Sequence, residues 1–152
     1  MLNHFLEYVY ILLLIAAIGP NVTYAVWIQR AMADRAALPF TLKGIKVLND
    51  RVVLPATALL LIAWIAMALT AGQSILTPWI LLVLILWLVV FLVGIFAYSP
   101  TLNQQITLAE RAGADSNEYK SVAWRGTLLG IAIGVVVLVI VFLMVFQPGL
   151  WG

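Results

Sequence analysis

The feature that most constrains this chain is its central run, residues 52–109, which contains no Asp, Glu, Lys or Arg. An α-helix rises about 1.5 Å per residue, so about 20 apolar residues cross a hydrocarbon core of roughly 30 Å. The run is therefore too long for one crossing. Residues 72–74 interrupt it with Gly, Gln and Ser, and Thr77-Pro78 is typical of a helix start. We predict a membrane hairpin whose helices span residues 52–71 and 78–98.

Two further apolar segments, residues 5–29 and 126–146, have the same length and character. A chain of 152 residues with 65% apolar and 9% charged residues lies outside the range of soluble domains. We therefore predict one all-α integral membrane domain, residues 1–152, built as an antiparallel bundle of four transmembrane helices. Pro148 and Gly149 are expected to end the fourth span.

The placement of charge predicts the orientation of this bundle. All eight basic residues fall in two segments that four spans would bring to one side: Arg30, Arg35, Lys43, Lys46 and Arg51, then Arg111, Lys120 and Arg125. The positive-inside rule places these segments in the cytoplasm and both termini outside. The rule explains the basic excess more simply than nucleic-acid binding does, so no nucleic-acid partner is expected.

Both basic segments also show helical patterns. Leu42, Ile45 and Leu48 recur on one helical face, with Lys43 and Lys46 on the other side. This pattern predicts a short amphipathic helix on the membrane surface, with its lysines toward anionic headgroups. The third helix is predicted to continue beyond the membrane as a second cytoplasmic extension.

A new helix is expected after the turn at residues 112–114. Asp115 stands three residues before Glu118, which is an arrangement suited to an N-cap. The sequence therefore predicts that Asp115 caps the helix that becomes the fourth span.

The first span contains Gly19-Pro20-Asn21, where the proline removes a backbone hydrogen bond and should kink the helix. Tyr10 and Asn21 share one helical face, and an amide side chain facing lipid would lose its hydrogen bonds. We therefore expect both side chains to point into the bundle.

Four aromatic residues have positions that predict different roles. Trp79 and Tyr98 lie at opposite ends of the third span, as expected for membrane-interface residues. Trp64 and Trp87 lie near mid-membrane, where they either offer a flat surface to a quinone, carotenoid or tetrapyrrole, or fill the core with the indole N–H bonded to a neighbouring helix. A kinked pocket around Tyr10, Asn21, Trp64 and Trp87 is the candidate cofactor site.

Gly126, Gly130 and Gly134 form a four-residue repeat along one face of the fourth span. Without side chains, two helix backbones can approach closely at such a face. The repeat predicts either a seam with a second copy or another membrane subunit, or packing against the first or second helix of the same chain. We favour the packing within the chain.

Much site chemistry is excluded by what the sequence lacks. With no cysteine, there are no thiolate metal sites or iron–sulfur clusters. No Asp, Glu, Lys, Arg or His occupies the middle of a span, so pumping and channel functions are poorly supported. His4 and Glu7 supply at most two metal ligands and are expected to form a solvated pair. We predict no metal site and no catalytic residue.

A resemblance to a known family rests on positions spread over nearly the whole chain: Gly19, Pro55, Pro100, Leu102, Ala109, Tyr119, Trp124 and Gly130. The chain resembles an uncharacterised bacterial family of predicted integral membrane proteins, which implies a multi-pass protein of the bacterial cytoplasmic membrane. That family is distantly similar to the copper-resistance D proteins and the haem-associated membrane protoporphyrinogen oxidases. Their first helix carries a His ahead of its glycine, at the position that Tyr10 occupies here.

Three functional hypotheses follow. The first is a non-catalytic accessory or assembly subunit of a larger membrane complex, because small-residue faces coincide with a lack of polar site chemistry. The second is a binder of haem or another tetrapyrrole, a quinone or a carotenoid. The third and weakest is a small-molecule transporter, which requires a water-filled cavity at Asn21.

Overall fold

The computed structural model describes residues 1–147, and these residues form four long helical segments. Leu2–Ala33, Arg35–Thr70, Pro78–Arg111 and Asn117–Phe146 are each long and apolar enough to cross a membrane. The predicted all-α bundle of four antiparallel spans is confirmed. Pro148 and Gly149, which were predicted to end the fourth span, lie outside the described residues.

Six α-helices make up these segments, and short irregular turns join some of them end to end. The α-helices are α1 (Leu2–Ala33), α2 (Leu38–Leu48), α3 (Leu54–Thr70), α4 (Pro78–Val93), α5 (Ser99–Arg111) and α6 (Asn117–Phe146). A 3₁₀ turn, Arg35–Ala37, precedes α2, and π-helical turns at Asn49–Val53 and Gly94–Tyr98 join α2 to α3 and α4 to α5. α2 and α5 are the helical extensions of the second and third spans.

Each π-helical turn lies just before a proline. The wider turn explains why the helical segment continues through that proline. A proline has no N–H and clashes with the carbonyl four residues back in a regular α-helix. The N–H of Leu54, just before Pro55, bonds the carbonyl of Asn49, and the N–H of Ser99, just before Pro100, bonds that of Gly94. The wider turn thus places each proline in the first turn of the next α-helix, where a missing N–H costs little.

The four spans pack around two apolar cores that lie one above the other. α1 packs against α3, α3 against α4, and α4 against α6. The first core lies between these spans and includes the fully buried Leu60, Val83 and Ile140. The second lies at the end that carries the basic residues, where Leu42 of α2 meets Ile106 of α5. We call this end the basic end, and the end that carries Leu2 and Phe146 the terminal end.

The prediction that α2 lies on the membrane surface is wrong about the contacts that its two faces make. Leu42 and Ile45 pack into the second core instead of facing lipid. Lys43 forms an ion pair with Glu110 of α5, and Lys46 pairs with Asp50 one turn further along. α5 supplies apolar residues that cover Leu42 and Ile45, and it supplies the carboxylate that pairs with Lys43. The sequence pattern predicted contacts with the membrane in both places.

The two turns lie where the sequence predicts them, but the residue that caps the start of α6 is not the predicted one. Gly72 and Gly113 take φ values of +68° and +81°, which favour glycine, in the two predicted turns. The N-cap of α6 is Ser116, whose hydroxyl accepts a hydrogen bond of 3.1 Å from the N–H of Tyr119. Asp115 instead forms an ion pair with Arg35. The cause is local, because serine and aspartate are about equally favoured as N-caps and Ser116 lies three residues before the N–H of Tyr119.

Candidate functional site

The terminal end of the bundle contains a cavity of about 440 Å³ between all four spans. Its lining comes from the start of α1 and α4 and the end of α3 and α6: Asn3, Glu7, Tyr10, Ile11, Trp64, Met67, Ala68, Ala71, Gln73, Trp79, Ile80, Met144 and Gln147. The exposed residues of this set, among them Glu7, Ala71 and Gln73, form the rim. The buried ones, Tyr10, Trp64, Ala68 and Ile80, form the floor.

Three aromatic rings from three helices shape the interior of this cavity. The rings of Tyr10 and Trp64 have centroids 5.9 Å apart, and those of Trp64 and Trp79 are 5.7 Å apart in an edge-to-face arrangement. Both separations lie in the range where aromatic pairs attract each other. The pairs therefore hold the rings in place as walls of the cavity.

A chain of hydrogen bonds fixes the deepest of these rings. The indole N–H of Trp87 donates to the hydroxyl of Tyr10 at 2.8 Å, and that hydroxyl donates to Sδ of Met144 at 3.1 Å. The indole N–H of Trp64 donates to the carbonyl of Ile80 at 3.3 Å. A thioether is a weak acceptor, so the Tyr10 proton remains available to a stronger acceptor in the cavity.

The structure brings together three of the four residues predicted to form a cofactor pocket. Tyr10 and Trp64 line the cavity, and Trp87 lies directly behind Tyr10. Asn21 does not line it: eleven residues along α1 from Tyr10, or about 16 Å, its amide donates to the carbonyl of Ala17 at 2.8 Å. One N–H of this amide is thus bonded to the backbone of its own helix, so the amide does not reach a neighbouring span through this bond.

Sequence analysis missed several residues of the cavity. Trp79 was assigned to a membrane interface, but it is half-buried and contacts Trp64. Met67 and Met144, from the ends of two spans that are far apart in sequence, also line the cavity. No local pattern marks these residues, because the cavity exists only where four helix ends meet.

Glu7 is the one charged residue that lines the cavity. Its carboxylate lies 3.2 Å from Nδ1 of His4, one turn away on α1, and both side chains are largely exposed. No group of three potential metal-binding side chains occurs within residues 1–147. The rim is thus acidic, and the basic residues lie at the opposite end of the spans.

Comparison with known proteins places the whole of this architecture in one family. Residues 4–148 match the family model described as "Predicted integral membrane protein (DUF2269)". The chain belongs to this family. The match confirms the resemblance found in the sequence, while the more distant similarity to the copper-resistance D and protoporphyrinogen oxidase groups stays a prediction. No curated protein and no solved structure matched the chain.

This member of the family has a second polar feature, a layer of hydrogen-bonded polar side chains around Asp50 that lies between its two apolar cores. Asp50, which precedes the uncharged run, accepts hydrogen bonds from Lys46, Asn49 and Ser99, so α2 and α5 are linked through its carboxylate. Partial burial of Asp50 raises its pKa, but these hydrogen bonds and the charge of Lys46 outweigh burial and lower it. Close by, the buried hydroxyl of Tyr24 has no hydrogen-bond partner within the described chain. The layer links the two extensions to each other where they join the spans.

The glycine repeat of this family member is largely unpacked within the chain. A Cβ on Gly126 would lie 3.5 and 3.6 Å from Gln105 and Thr101 of α5, but one on Gly130 or Gly134 would have nothing within 4 Å. Our preferred interpretation, packing against the first or second helix, is therefore wrong. α6 packs against α4 and α5 on its other faces, so this face is open in a single copy.

Proposed function

We propose that this protein binds a small amphiphilic molecule in the cavity at its terminal end. The observation that carries the proposal is the cavity itself, with its three aromatic rings and its polar rim. Binding sites for small molecules are concave and mostly apolar, and a few placed polar groups orient the ligand. The rings would contact an apolar ring of the ligand, and the rim would meet its polar end.

The size of the cavity narrows the ligand class. Its volume of about 440 Å³ falls in the lower part of the range for small-molecule sites, about 300–1,000 Å³. A single-ring headgroup or a tetrapyrrole macrocycle fits within this volume, whereas the full length of a carotenoid does not. Within residues 1–147, the lining includes no His or Cys that would ligate a haem iron, so a quinone headgroup fits best of the cofactors considered from the sequence.

Purification in a mild detergent tests this proposal. Bound small molecules are extracted and quantified by mass spectrometry, and the absorption spectrum of the protein is recorded beside them. We expect a near-stoichiometric amphiphile in the wild type and its loss in Ala71→Trp, which places a large ring at the cavity rim. Ala132→Trp, at an exposed position on α6, is the matched control and should keep the ligand. Equal ligand content in both folded variants would contradict the proposal.

A second candidate function is that of an accessory subunit or homodimer whose seam is the glycine face of α6. The open space at Gly130 and Gly134 favours it, because a second helix can approach closely there. Since no atom of residues 1–147 lies within 4 Å of a Cβ at either glycine, the double variant Gly130→Leu and Gly134→Leu should fold as a monomer while losing its partner. Light scattering and the polypeptides that co-purify report this, and a wild-type protein that is monomeric without a partner would contradict it.

We also propose that the protein lies in a bacterial cytoplasmic membrane with its basic end in the cytoplasm. The charge asymmetry supports this orientation, because all eight Lys and Arg residues lie in segments at one end of the four spans. The cavity would then open toward the outer face. The transport hypothesis receives no support from Asn21, which does not line the cavity.

A further inference from the structure

We propose that the cavity selects an amphiphilic cation, such as a lipophilic amine or another organic monocation, over neutral and anionic molecules of the same shape. This inference rests on the proposed function, because it names the charge of the ligand that the same cavity would hold, and it places a cation of similar size ahead of the neutral quinone headgroup. Three independent features of the site support it: its aromatic walls, its one charged residue and the distance to the basic residues.

The walls of the cavity suit a diffuse positive charge. Aromatic faces carry a negative potential, and cages of several rings are a recurrent means of binding organic ammonium groups. Tyr10, Trp64 and Trp79 come from three helices and line one cavity, with neighbouring centroids less than 6 Å apart. The polarisable thioethers of Met67 and Met144 complete the same surface.

The rim supplies the only formal charge among the lining residues, and that charge is negative. Glu7 lies one helical turn above Tyr10 on the same face of α1, so a cation among the rings would lie close to its carboxylate. Two other titratable groups lie near Glu7 at the start of α1, the largely exposed imidazole of His4 and the amino group of Met1, and neither lines the cavity. The Glu7 carboxylate is therefore the natural counter-ion for a bound cation.

Positive side chains are far from this cavity. The basic residue nearest in sequence to one of the rings is Arg51, which lies 13 residues before Trp64, roughly 20 Å along the second span. Arg30 lies 23 residues beyond Glu7, roughly 35 Å along α1. An anion in the cavity would be repelled by the Glu7 carboxylate, and no Lys or Arg lies beside it to offset the repulsion. This repulsion is strong in a partly apolar site, where charges are poorly solvated. The same argument disfavours a zwitterionic lipid headgroup, whose phosphate would lie beside Glu7. A free cation is thus favoured over a lipid headgroup.

Three single-ring probes of nearly equal shape separate charge from shape: the cation benzyltrimethylammonium, its neutral carbon analogue neopentylbenzene and the anion phenylmethanesulfonate. Their affinities are measured by titration calorimetry on the purified full chain in a neutral detergent. We expect the cation to bind about tenfold more tightly than the neutral probe, as a cation–π contribution and a nearby carboxylate together imply. The anion should bind most weakly.

Variants assign the selectivity to particular residues. Glu7→Gln should reduce the preference for the cation but leave the part that the rings supply, without changing the affinity for the neutral probe, and His4→Gln should leave the whole preference intact. Ala71→Trp should abolish binding of all three probes, whereas Ala132→Trp should not.

Each other outcome overturns the proposal in a distinguishable way. If the neutral probe binds as tightly as the cation and Ala71→Trp abolishes both, the charge preference is wrong while the ligand cavity stands. If no probe shows binding that Ala71→Trp removes, the cavity proposal fails as well. If a short-chain phosphatidylethanolamine displaces the cation at equal concentration, the preference for a free cation over a lipid headgroup is wrong.

Discussion

At the scale of single residues, the hydroxyl of Tyr10 connects three spans, since it accepts from Trp87 of α4 and donates to Met144 of α6. Tyr10→Phe would leave the buried indole N–H of Trp87 without this partner, at an expected cost of about 1–3 kcal/mol in the free energy of unfolding. Tyr8→Phe is the matched control, because Tyr8 lies on the same helix and is 60% exposed. Unfolding by SDS in mixed micelles measures both, and equal effects of the two variants would contradict this role of Tyr10.

Also at this scale, Asp50 predicts how stability depends on pH. A carboxyl whose pKa is lowered by folding stabilises the protein above its unfolded pKa, about 4, and this contribution is lost as the pH falls through the folded value. The wild type should therefore lose stability relative to Asp50→Asn as the pH decreases from about 6 to about 3, a range that includes the ordinary carboxyl pKa of about 4. Asp34→Asn, at an exposed carboxyl outside the described ion pairs, should follow the wild type. Parallel curves for wild type and Asp50→Asn would show that the layer contributes nothing through ionisation.

At the scale of elements, α3 contacts the third span tightly at Gly94, which begins a π-helical turn. A Cβ on Gly94 would lie 2.9 Å from Cδ2 of Leu54, so Gly94→Ala forces this half-buried side chain to shift and should destabilise the protein by about 1 kcal/mol. Adding Leu54→Ala should relieve part of this cost, giving a non-additive pair. Gly44→Ala, in α2 with nothing within 4 Å, should be neutral or stabilising. Additive effects at Gly94 and Leu54, measured in the same SDS titration, would rule out their steric contact.

At the scale of the whole molecule, the proposed orientation can be tested cleanly because the chain has no cysteine. Gln73→Cys places one thiol in the exposed turn at the terminal end, and Gln104→Cys places one at an exposed position of α5 near the basic end. We expect a membrane-impermeant maleimide to label Gln73→Cys in intact bacterial cells, and Gln104→Cys only after permeabilisation. The reverse labelling pattern would invert the positive-inside assignment.

The sequence by itself determined the number, order and approximate ends of the spans. The reason is physical. Inside a bilayer, an uncharged segment of about 20 residues must form hydrogen bonds between its own backbone N–H and C=O groups, and an α-helix is the structure in which a single segment does so. The turns at Gly72 and Gly113 were predictable for an equally local reason, because a positive φ favours glycine. The composition and charge placement also predicted membrane residence, and the family match confirms it.

Only the tertiary structure decided which side chains meet. Lys43 pairs with Glu110 because α5 lies beside α2, and Asn21 turns back onto its own helix, which no periodicity distinguishes from a bundle contact. The cavity likewise depends on four helix ends converging, so Trp79 looked like an interface residue until α3 placed Trp64 against it. In a span that is apolar on every side, the sequence does not mark the face that meets a neighbour, and packing alone selects it.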